Sequence, residues 1–144
     1  MDHIVARNER NRGYGKQSNA FTLIDAATDF RWGKAFRHKT GVGNLEVMRK
    51  YRGPEPEDEM KYVYSDAAPE IAYAIEAMGL GGVHDTSTPG DSQGNGIAGN
   101  NNRDIEMGAA ALIAHSGVSL AYWPLALPCY CFGRNTAIVD GASP

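Results

Sequence analysis

The order in which hydrophobic periodicities follow one another restricts the fold of this chain more than any other feature. Asp2 to Ala6, Phe21 to Asp25 and Phe30 to Phe36 read as strands, the last with Phe30 and Trp32 at alternate positions. Polar and Gly-containing turn regions separate them, which suits an antiparallel three-strand meander. The pattern then changes. Leu45, Val47 and Met48 fall at helical spacing within Asn44 to Tyr51, and an acidic, proline-bearing linker follows from Gly53 to Glu59. Lys61 to Ser65 is a strand ending at Asp66, Pro69 opens a helix that Gly79 stops, and Gly82 to Asp85 is a short returning strand. A meander followed by alternating helices and strands argues for an α/β domain: a mixed five-stranded sheet with helices on its faces.

The stretch from Asp85 to Gly108, DTSTPGDSQGNGIAGNNNRDIEMG, joins a strand end to a Gly/Pro/Ser-rich loop and then to a helix. A flexible loop feeding a helix is a common active-site design. Along that helix Ile97, Ala98, Ile105, Ala109, Leu112 and Ile113 form one apolar face, with Gly99 at its edge. Gly117 is the next stop signal. The apolar run Leu120 to Phe132, with Trp123 and Tyr130, reads as a last helix packed on the sheet.

Bulk properties exclude several classes. With 144 residues, 42% of them hydrophobic, the chain buries one core and no second one. The net charge is −3, so nothing global announces a nucleic-acid binder. The distribution is uneven: seven of the 14 basic residues lie between Arg31 and Arg52, and from Tyr62 onward only Arg103 and Arg134 are basic, against eight acids. DNA contacts beyond an active site would therefore lean on the first half or on flanking domains. Cys129 and Cys131 are too close for an unstrained disulfide and too few for a zinc site, so both read as reduced core residues. The polar start is no signal peptide, and prolines 124 and 128 break the longest apolar run, which is too short to span a bilayer. The expected location is the nucleus or cytoplasm. The abrupt start reads as a cut into a larger polyprotein or as a broken copy.

The order S-T-P-x-x-S-Q-x-N-G-I-A, with Tyr64-Ser65-Asp66 upstream and an apolar helix behind, resembles the integrase catalytic core of copia-type retrotransposons and retroviruses. That resemblance implies an RNase H-like fold, a carboxylate triad, and Mg²⁺ or Mn²⁺ as cofactor. It also implies element ends and target DNA as partners, homo-oligomers, and a reaction of metal-dependent end trimming and strand transfer. Asp66 matches the second acid and Asp2 the first, with Asp25 on the second strand as the competing candidate. The third acid would follow N-G-x-A directly, where this chain has Gly99. Between Asp66 and Gly99 lie 32 residues, within the family's range. Gln93, Asn95, Asn100 and Arg103 are the expected DNA-binding residues, with Asn101 and Asn102 as further amides that could touch the backbone.

Bland roles compete with these. Asp66 could cap a helix starting near Ala67, and Asp25 could satisfy backbone donors in a turn. Two-metal phosphoryl transfer needs carboxylates on both ions, and glycine supplies none. Glu106 lies two turns further on, about 10 Å along the helix axis, too far to substitute. Asp91 lies in the loop and Asp104 points away. The expected activity is that of an integrase core impaired in this copy. The alternative is a non-catalytic nucleic-acid-binding remnant with the same fold.

Overall fold

The computed structural model describes residues 1–54, 60–79, 82–87, 96–137 and 144. Strands β1 (Asp2–Val5), β2 (Asn19–Ile24) and β3 (Arg31–Phe36) form an antiparallel sheet in that order. Helix α1 (Gly41–Arg52) follows, then β4 (Tyr62–Ser65), α2 (Pro69–Met78) and β5 (Val83–Thr86). β4 and β5 form a separate parallel pair. Helix α3 (Gly96–Ser116) and, after a single 3-10 turn, α4 (Trp123–Thr136) complete the described elements.

The five strands are thus divided between two sheets, three and two, and do not form the single ladder expected from the sequence. The reason is stagger. β4 ends level with the start of β1, so among the described residues it is Met1 that reaches across: its amino nitrogen donates to Tyr64 O (2.8 Å), and Asp66 N donates to Met1 O (3.3 Å). That pattern of donors and acceptors is parallel, centred on Ser65.

β2 is buried on both faces, as only a strand covered by helices on either side can be. Phe21 and Leu23 point into a cluster with Val47, Met48, Ile71 and Ala74 of α1 and α2. Ala20, on the opposite face, joins Ile105 of α3 and Leu127 and Cys131 of α4. Gly33 on β3 permits the close approach of α4, because a Cβ there would lie 2.6 Å from Leu127 Cδ2.

Helix ends follow local chemistry. α1 begins three residues before the expected Asn44, since Thr40 Oγ1 accepts from Gly43 N (3.1 Å) and caps it. α2 begins at Pro69 and ends on Gly79 in the left-handed conformation (φ 62°), as the sequence signals require. Gly117 (φ 69°) stops α3 in the same way. α4 runs through Pro128 to Thr136, four residues beyond the apolar run. Along it Cys131 is buried and Cys129 is exposed, so only one of the two cysteines is a core residue. No helix among the described residues is long and apolar enough to cross a membrane.

Candidate active site

Asp2 opens β1, and Asp66 follows the last residue of β4. The Asp66 N–H···O=C Met1 bond makes the two aspartates neighbours at the seam between the sheets. The Asp2 carboxylate is already engaged: Oδ1 accepts from His3 N (2.6 Å) and Oδ2 from Asn102 Nδ2 (2.9 Å). Asn102 is buried on α3, and its Oδ1 meets the Thr22 hydroxyl, which also lies 3.1 Å from Asp2 O. Thus β1, β2 and α3 converge on one carboxylate. The Asp66 carboxylate accepts from Ala67 N (2.8 Å) and is otherwise open to solvent. It does not cap α2, whose N-cap is Ala68.

Asp25 lies elsewhere. In the β1–β2 register Asp2 faces Thr22, so Asp25 sits three residues further on, about 10 Å along the strand direction. Its carboxylate accepts from Ala27 N (3.0 Å) and Thr28 Oγ1 (2.9 Å), which is the turn role weighed for it.

On α3 the buried stripe is Ala98, Asn101, Asn102, Ile105, Ala109 and Ile113, whereas Ile97 and Leu112 are exposed. The apolar face read from the sequence is therefore rotated: Ile97 and Leu112 turn out, and Asn101 and Asn102, expected as amides facing DNA, turn inward. They are not placed to touch a DNA backbone; Asn100 and Arg103 are exposed. Gly99 is exposed, and a Cβ built on it meets nothing within 4 Å. Gln93, Asn95 and Asp91 lie outside the described residues. Asp104 faces the other way, where it pairs with the buried Arg31 and accepts from Tyr130 Oη (2.9 Å). Glu106 lines a hollow of about 360 Å³ with His3, Ile4, Arg7 and Asn102, one helical turn beyond the Asp2 contact.

Asn102 is the residue that sequence reasoning misread. Three consecutive asparagines in a helix are a signal, since a short amide is a poor helix former unless its side chain has a partner. Which of the three turns inward depends on helix rotation, and the chain alone does not give that.

Beside the site, His3 bonds Asn44 through Nε2 (3.1 Å to Nδ2) and packs on Phe21. Burial is the main cause that holds its pKa below the usual histidine value, and the nearby Lys39 adds to it, against the Asn44 hydrogen bond and the Asp2 and Glu70 charges. Asp2 and Asp66 are hard oxygen donors of the kind Mg²⁺ takes. Among the described residues no group of three or more His, Cys, Asp or Glu side chains is arranged to hold a metal.

No family model matches the chain, and no curated protein matches it. Among solved structures it is similar to a chain in the cryoEM structure of the simian T-cell lymphotropic virus intasome in complex with the PP2A regulatory subunit B56 gamma. The TM-score is 0.69 at 10% identity, over 99% of this chain and 50% of that one, so the chain spans about half the length of its structural neighbour. At that identity the likeness concerns the fold: this chain shares its fold with a chain of a retroviral intasome assembly.

Proposed function

We propose that the chain is an integrase catalytic core of retroelement type, of the copia or retroviral kind. In this reading Asp2 and Asp66 are two of three metal-binding carboxylates and Gly99 stands where the third is missing. The two sheets are then halves of one five-stranded RNase H-like sheet, joined at Met1. The carrying observation is the Asp66 N to Met1 O bond, which brings two aspartates far apart in sequence onto adjoining strand ends. Residue 99 lies one helical turn before Asn102, which touches Asp2, so a glutamate there has the reach to face the same point. The partners on this reading are element ends and target DNA, bound by further copies of the chain, and Mg²⁺ or Mn²⁺ binds weakly because one carboxylate is absent.

With two carboxylates, the chain binds and orients DNA but does not activate a 3′-hydroxyl at a useful rate, since two-metal catalysis requires both ions. A second reading is a nucleic-acid-binding remnant with no turnover. Asn102 favours it, because the amide that holds Asp2 has a structural role that survives loss of catalysis.

The experiment compares the chain with its Gly99→Glu variant for Mn²⁺ binding by calorimetry and for joining of element-end duplexes to a target plasmid. The proposal expects near-background joining and weak metal uptake by the parent, with both rising in the variant. Mg²⁺-dependent joining by the parent would mean that another acid serves. A folded Gly99→Glu variant that binds no more metal than the parent would remove position 99 from the site.

A further inference from the structure

The chain is acidic overall, yet one end of its antiparallel sheet is strongly basic. In the register Val5 faces Asn19 and Asn19 faces Phe36, so the β1–β2 connector and the β3–α1 connector leave the sheet at the same end. Together they carry Arg7, Arg10, Arg12, Lys16, Arg37 and Lys39 against one acid, Glu9. All but Lys39 are exposed. The Arg12–Glu9 contact (3.4 Å) is a solvent-exposed pair that neutralises little.

These charges sit on a fixed support. Gly13 is buried, and a Cβ there would run into Pro124 of α4. Trp123 Nε1 donates to Asn11 O (2.8 Å), Tyr14 N donates to Ala121 O (2.7 Å), and the Tyr14 and Tyr122 rings stack at 5.5 Å. On the other side Arg37 Nε donates to Gly15 O (2.7 Å), which ties the two connectors together. The connector is therefore presented as a shelf and not as a loose loop.

The shelf also adjoins the aspartates. β1 runs from Asp2 toward it, about 10 Å over three residues, a length of roughly three base pairs of duplex. The hollow lined by Asn102 and Arg7 joins the two places, with Glu106 opposite Arg7 as the one acid in its wall.

We infer that this shelf is a phosphate-binding surface for duplex DNA, holding the backbone a few base pairs from the point that Asp2 and Asp66 share. The choice of duplex DNA as occupant rests on the integrase reading; the charge and rigidity of the shelf do not. The count of basic residues from Arg31 to Arg52 misses this surface, because four of its six cations come from Arg7 to Lys16 and are joined to Arg37 and Lys39 only by strand pairing.

The test is fluorescence anisotropy of a labelled random-sequence duplex across a salt titration in EDTA, so that no metal-dependent step enters. The Arg10→Ala, Arg12→Ala, Lys16→Ala triple variant is compared with a charge-matched control, Arg49→Ala, Lys50→Ala, Lys61→Ala. Loss of three phosphate contacts makes the slope of log K against log salt shallower by about 2.7 in the shelf variant. The control keeps the parent slope. An Arg10→Lys, Arg12→Lys double variant, which keeps the point charges, also keeps it, so a loss caused by misfolding is distinguished. Equal slopes in shelf and control variants, or tighter binding of the single strand through the Tyr14–Tyr122 stack, would overturn the inference. Failure here leaves the metal site standing, and an unchanged Gly99→Glu variant leaves the shelf standing.

Discussion

Asn102 donates its side-chain amide to Asp2 across 100 positions of sequence, and the bond is 2.9 Å long. The same amide oxygen meets the buried Thr22 hydroxyl, so removing the side chain takes the amide donor from a half-buried carboxylate oxygen and leaves the hydroxyl with Asp2 O as its partner. Asn102→Ala should lower stability by about 1–3 kcal/mol, read from the urea midpoint. Asn102→Asp should be worse in EDTA because two carboxylates then face each other, and Mn²⁺ should recover part of the loss. An Asn102→Ala variant as stable as the parent would show that the bond is not formed in solution.

Protonation near Asp2 should be visible as a pH dependence of stability. Burial lowers the His3 pKa from its ordinary 6.5 and the Met1 amine from 8.0 to about 6. Each group then holds fewer protons folded than unfolded between its two pKa values, so its contribution to stability is full above the unfolded value, is lost as pH falls through that window and levels off below the folded value. For Met1 the window runs from about 6 to 8. A melting temperature that climbs from pH 5.5 to 8, with a flatter rise in His3→Gln, is the expected result. A melting temperature that falls over this range would contradict the burial of both groups.

Gly108→Ala sets two effects against each other. Helix propensity favours alanine by up to about 1 kcal/mol, whereas overpacking costs about 1–3 kcal/mol. A Cβ at this position would collide with the Tyr130 ring, whose hydroxyl is held by Asp104, so overpacking should win. Net destabilisation in a thermal melt is expected, and a rise would show that Tyr130 moves freely.

The cysteines should differ in reactivity. Burial pushes the Cys131 thiol up to about 11, while Cys129 is exposed. Iodoacetamide at pH 8 should modify Cys129 in the native chain and reach Cys131 only after denaturation, as read by peptide mass mapping. Modification of both at equal rates would mean that α4 is not docked.

What the sequence revealed depended on whether the determining chemistry was local. Pro69 and Gly79 bound α2 because a helix start and a left-handed stop are properties of single residues. The start of α1 was hidden by Gly41 and Gly43, which look like loop, although Gly41 lies where a side chain would strike Tyr73 of α2. Pro128 reads as a break, yet α4 continues, with Leu127 and Cys131 buried on either side of the missing donor. The nearness of Asp2 and Asp66 was accessible only through the resemblance, since it depends on the pairing of Met1 with β4. Which of the three asparagines meets Asp2 was not accessible, because the rotation of α3 is decided by what β2 offers it. The shelf needed strand register, which composition does not contain.

β2 carries a folding consequence beyond its place in the core. Its odd positions, Phe21 and Leu23, are buried against α1 and α2, and its even positions meet the opposite layer, Ala20 the α3–α4 cluster and Thr22 the Asn102 amide. A slip of one residue would exchange the two sets and send the Thr22 hydroxyl to the wrong layer. The nascent chain therefore cannot acquire the Asp2 environment early and the helical layers late. Until the helix some 80 residues downstream of Thr22 has docked, Asp2 and Thr22 lack the Asn102 amide that joins them.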